Sequence, residues 1–112
     1  MCFFRKKSKD NKVSERQKKL LDKEKEQRVE AEKNREKELE YQLSVEKHRL
    51  SELREKLKEL KTVVENTPGS LAIGESYNVK VQMDSVSERI NAYETELTRV
   101  RMNISAMDEA EL

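Results

Sequence analysis

His48 is the only histidine and Cys2 the only cysteine, so the two residue types most used for nucleophilic and metal chemistry occur once each, far apart in the chain. Neither has a partner at metal-ligand spacing. Carboxylates are plentiful, but they are strung along charged runs and do not converge as paired acid–base groups must. There is no glycine-rich phosphate loop and no nucleophile elbow. Catalysis, cofactor binding and metal binding are therefore not expected. The lone cysteine rules out a disulfide within the chain and fits a reducing, cytoplasmic setting.

The residues with a use are those that could make contacts. In residues 1–9, Cys2, Phe3 and Phe4 precede Arg5, Lys6, Lys7 and Lys9. Aromatic rings beside cations form an interfacial anchor for an anionic membrane surface, with Cys2 open to acylation. The plainer alternative is a frayed tail. Position 2 is not glycine, so the myristoylation pattern is absent. No apolar run is long enough to cross a membrane, and a signal-peptide core is missing. Attachment would thus be peripheral.

What must carry these residues is a helix with a heptad repeat. Leu39, Leu43, Leu50, Leu53, Leu57, Leu60 and Val64 step by four and three, with Glu46 in the one gap. This is the pattern of a narrow seam against another helix. A second run keeps the same steps without a gap: Val79, Met83, Val86, Ile90, Tyr93, Leu97, Val100, Ile104 and Met107. Between them Pro68 stops the helix, Thr67 is pushed to extended geometry, and Gly69 and Gly74 give turn freedom. Ser76 reads as an N-cap for the second helix.

Folding back at Pro68 sets a against d in every layer: Val64–Val79, Leu60–Met83, Leu57–Val86, Leu53–Ile90, Leu50–Tyr93, Glu46–Leu97, Leu43–Val100 and Leu39–Ile104. The flanking sites from 47 to 61 in the first helix are all basic, which disfavours parallel pairing of two copies. Antiparallel folding opposes Lys33 to Asp108, Glu40 to Arg101, Lys47 to Glu94 and Arg49 to Glu96. Near the turn, Lys56–Arg89 and Lys61–Lys80 are like-charged and count against the register. Glu46 reads as a seam defect relieved by Arg49 or Arg101, with a register pin as the alternative.

The predicted fold is all-α: an antiparallel two-helix coiled-coil hairpin with a long charged N-terminal helical extension. The expected divisions are a flexible basic tip at 1–12, a charged helical extension at 13–38, helix one at 39–66, a turn at 67–76 and helix two at 77–110. The extension is rich in good helix formers, and Ser14 with Gln17 reads as its capping box. Residues 1–30 should project beyond the paired region. With 42% charged residues, 34% apolar residues and no tryptophan, a seam is what this chain can bury, not a deep core. The apolar stripe suits two strands better than a four-helix bundle.

Charge is split along the chain. Residues 1–66 hold 20 Lys and Arg against 15 Asp and Glu, and residues 67–112 hold 4 against 8. A basic end favours anionic surfaces at one pole. The aromatics are not interleaved with a basic stripe, so nucleic acid is the weaker partner class. Leu71 and Ile73 are apolar in the predicted turn, where they either cap the seam end against Val63, Val64 and Tyr77 or dock a partner.

Residues 5–21, with Arg5-Lys6-Lys7 and then Val13-Ser14-Glu15-Arg16-Gln17-Lys18-Lys19-Leu20-Leu21, resemble the start of the N-myristoylated ESCRT-III subunits. That resemblance implies a membrane-remodelling polymer subunit built on a helical hairpin. The acceptor glycine is replaced by Cys2, and the second helix is acidic where that family's is basic. The expected role is a non-enzymatic adaptor or assembly subunit working through protein–protein contact or self-association, with the ESCRT-III-like polymer and a nucleic-acid or virion scaffold as alternatives.

Overall fold

The computed structural model describes residues 2–67, 69 and 71–109, with side chains from residue 15 onward. Two helices, α1 (Cys2–Asn66) and α2 (Ala72–Glu109), pack against each other as an antiparallel hairpin. The molecule measures 98 × 18 × 15 Å. At 1.5 Å per residue the 65 residues of α1 span that whole length, while the 38 of α2 cover only about 57 Å. The fold is all-α, as its heptads predict.

α1 has no break at the expected divisions. Its backbone is helical from residue 2, through the segment expected to be flexible, and past Ser14, which therefore opens no helix. Lys, Glu, Arg and Gln are good helix formers, and neither Gly nor Pro interrupts them before residue 68. At the far end the Thr67 N–H donates to the Val63 carbonyl at 2.8 Å. Gly69 then takes φ +85°, a left-handed conformation that side-chain-bearing residues rarely adopt. Pro68 and Ser70 lie outside the described residues.

α2 starts earlier than its turn chemistry predicts. The Glu75 N–H donates to the Leu71 carbonyl at 3.3 Å, so the helix opens at Ala72 and not at residue 77. Gly74 and Ser76 are poor interior residues, but the buried Ala72 side chain and Glu75 at the positive helix end favour the extra turn. Ser76 is thus no cap. It stands one heptad step before Val79, half-buried, with its Oγ enclosed and without a hydrogen-bond partner.

The seam runs the length of α2. Leu39 is fully enclosed, and Leu43, Val79, Val86, Leu97 and Val100 are buried. Leu50, Leu53, Leu57, Leu60, Val64, Met83, Ile90, Tyr93 and Ile104 are half-buried. Leu39, Leu43, Leu97 and Val100 form one cluster, with Ile90, Tyr93 and Ile104 packed against it. The covered stretch also reaches further toward the N-terminus than expected. Lys25, Val29, Glu32 and Glu36 are half-buried, and Leu21 to Arg28 share a hollow with Asn103, Ala106 and Met107. The free overhang accordingly begins before Leu21, not at residue 30.

Candidate interaction surface

At the turn pole the structure leaves apolar side chains in water. Leu71 is 89% exposed and Ile73 57%, with Val63, Tyr77 and Val81 also exposed. Ile73, Tyr77 and Val81 stand one turn apart on α2, so they form a stripe. Neither Leu71 nor Ile73 closes the seam end; Ala72 between them is the residue that turns inward. The stripe borders a hollow of about 540 Å³ lined by Lys61, Val64 and Glu65 of α1 and by Ile73, Ser76, Tyr77 and Lys80 of α2. Lys61 and Lys80 take part in no ion pair among the described residues.

Further along, the flanking charges are matched. Lys47 Nζ lies 3.6 Å from Glu94 Oε1, as the antiparallel register predicts. Arg101 donates from Nη2 to Glu40 at 2.9 Å, the expected pair, and from Nε to Glu36 at 3.1 Å. These two bonds, first that to Glu40, raise the Arg101 pKa above its ordinary value. Lys33 and Asp108 line one hollow. The expected Arg49–Glu96 pair does not form. Glu96 is held instead by Arg99 one turn on, through bonds of 3.1 and 2.5 Å, and the Arg99 guanidinium lowers its pKa.

Arg49 is turned to Glu46, the only buried charged residue among those described. Arg49 Nη1 donates to Glu46 Oε1 at 3.5 Å. Arg89 of α2 brings its Nε within 3.3 Å of Oε2, an ion-pair contact without hydrogen-bond geometry, since that oxygen lacks a bonded partner. Arg101, the other expected relief for Glu46, is committed to Glu36 and Glu40. Arg89 escaped the sequence because it faces Lys56 in the heptad register; only the reach of a long side chain along the groove brings it to Glu46.

His48 is exposed, with Nε2 2.9 Å from Glu52 Oε1 on its own helix. Among the described residues no three His, Cys, Asp or Glu are grouped to hold a metal ion. No helix among them is long and apolar enough to cross a membrane. The side chains of the candidate membrane tip, Cys2, Phe3, Phe4, Arg5, Lys6, Lys7 and Lys9, lie outside the described residues. Comparison with family models, with curated proteins and with solved structures gives no match.

Proposed function

We propose that the protein is a non-enzymatic coiled-coil adaptor or assembly subunit that presents its turn pole to another protein. Its basic N-terminal tip, at the opposite end of the rod, serves as a peripheral anchor on an anionic membrane at the cytoplasmic face. The observation that carries this reading is the exposure of Leu71 and Ile73 at the one point where the chain doubles back. Water-exposed apolar residues on a turn lower solubility and stabilise nothing by themselves, so contact with a partner is their use.

Affinity purification of the full chain, compared with its Leu71→Ser/Ile73→Ser variant, tests the pole. Partners present with the first and lost with the second support the adaptor; the same partners with both remove it. Co-sedimentation with anionic vesicles tests the anchor. Phe3→Ser/Phe4→Ser should weaken binding several-fold, because two rings leave the interface. Equal sedimentation of both chains rules the anchor out. Ordered filaments in electron micrographs of the pure protein would replace the adaptor with a polymer subunit.

A further inference from the structure

The hollow at the turn pole has a chemistry more specific than apolar contact. Further from the turn the facing flank charges are matched in sign: Lys47 with Glu94, and Arg101 with Glu36 and Glu40. Near the turn two facing pairs are like-charged; Arg89, opposite Lys56, turns to Glu46, which leaves Lys61 and Lys80. They line one hollow from opposite helices, both cationic, and neither is ion-paired. Like charges placed together weaken a hairpin, so a local rule is broken beside the exposed apolar stripe of Ile73, Tyr77 and Val81. The same hollow is lined by Ser76, whose enclosed Oγ has no hydrogen-bond partner.

Resting on the adaptor reading, we propose that this hollow docks an acidic amphipathic segment of a partner protein. One carboxylate sits between Lys61 and Lys80, and an apolar side chain lies on Val64, Ile73 and Tyr77. Glu65 on the rim offsets one of the two lysines, leaving one net positive charge. That suits a single carboxylate and gives little purchase on a phosphate cluster or a lipid surface, which call for several cations. The volume of about 540 Å³ accommodates a few side chains, not a folded domain.

Fluorescence anisotropy of the full chain with a labelled amphipathic peptide, one face leucine and its flanks glutamate, is the test. The comparison probes are the same peptide with lysine flanks and vesicles of anionic lipid. The glutamate peptide should bind, and the lysine peptide should bind at least about tenfold more weakly. Lys61→Glu should weaken the glutamate peptide about tenfold while the thermal midpoint of the hairpin holds or rises, because the new carboxylate meets Lys80. Ile73→Ser/Tyr77→Ser should weaken both peptides. Equal binding of the two peptides, no binding of the glutamate peptide at ~1 mM, or indifference to Lys61→Glu overturns the proposal. So does Lys61-dependent binding of vesicles in place of peptide. A pole that loses partners on Leu71→Ser/Ile73→Ser yet ignores the glutamate peptide sinks this inference alone; a pole that never had partners sinks the adaptor reading beneath it.

Discussion

Around Leu43 and Leu97 the helices close over an enclosed seam, and the charges on its flank alternate in sign between α1 and α2. At the turn the same heptad positions carry Lys61 and Lys80, the stripe faces water, and a buried hydroxyl goes unbonded. One repeat thus produces two surfaces. Where opposite charges flank leucine and valine, the seam is satisfied by the chain itself. Where like charges flank a stripe that faces out, the chain itself does not cover it. The enclosed layers and the exposed stripe are separated along the rod, and substitutions at the two ends should differ in kind.

The largest contrast should come from truncating an enclosed leucine and an exposed one. Leu39 has no accessible surface, so Leu39→Ala leaves a cavity in the main cluster and should cost about 2–4 kcal/mol. Leu71→Ala, at the open pole, should change stability by less than about 0.5 kcal/mol. Urea titration followed by circular dichroism measures both. Similar losses at the two sites would mean that the pole is part of the core after all.

Glu46 comes next, because it is the one place where the closed region resembles the open one. Its carboxylate is buried among apolar layers and held only by long contacts to Arg49 and Arg89. A leucine there would complete the heptad, and replacing a weakly paired buried charge by an apolar side chain is commonly stabilising. Glu46→Leu should raise stability by about 1 kcal/mol and keep one set of amide resonances. A doubled set of resonances would show that Glu46 holds the helices in register, and that its cost is the cost of specificity.

The seam was legible because burial against one neighbour imposes a period that composition cannot hide, and Leu39 to Val64 and Val79 to Met107 both carry it. The turn was less legible. Gly74 and Ser76 have the chemistry of loops, yet the heptad steps back from Val79 land on Ser76 and Ala72, and helix continuity prevailed over local preference. The overhang is shorter than the register implies, since Leu21, Glu24, Lys25 and Arg28 line a hollow with Asn103, Ala106 and Met107. Like-charged Lys61 and Lys80 were visible as an anomaly, but that their hollow also holds an unbonded hydroxyl depends on tertiary placement. Arg89 was invisible, because heptad letters assign a side chain to its own layer and ignore how far an arginine reaches.

Arg101 should matter less than the enclosed layers, since its guanidinium is open to solvent. Arg101→Met keeps the aliphatic stem and removes both inter-helix bonds. It should lower the thermal midpoint modestly at low salt, with the difference shrinking as salt is added, because exposed ion pairs are screened. A loss that is large and unaffected by salt would make Arg101 a packing residue, and the matched flank would then not be electrostatic.

The smallest effect belongs to Glu96, whose hydrogen bonds stay within α2 and whose link to α1 is only the coulombic pull of Arg35. Its pKa is lowered from an ordinary value of 4.5, chiefly by the hydrogen bond from Arg99. A carboxylate depressed on folding contributes stability that is present above its unfolded value and is lost as pH falls through the folded value. Between neutral pH and pH 5 the contribution should be flat, and below about 4.5 it should decline. Glu96→Gln removes that decline from the pH dependence of the thermal midpoint and leaves the Lys47–Glu94 and Arg101–Glu40 contacts in place. If the variant also loses stability at neutral pH by as much as Arg101→Met does, the distinction between bonds within a helix and bonds across the seam fails, and with it the account of why one flank closes the hairpin.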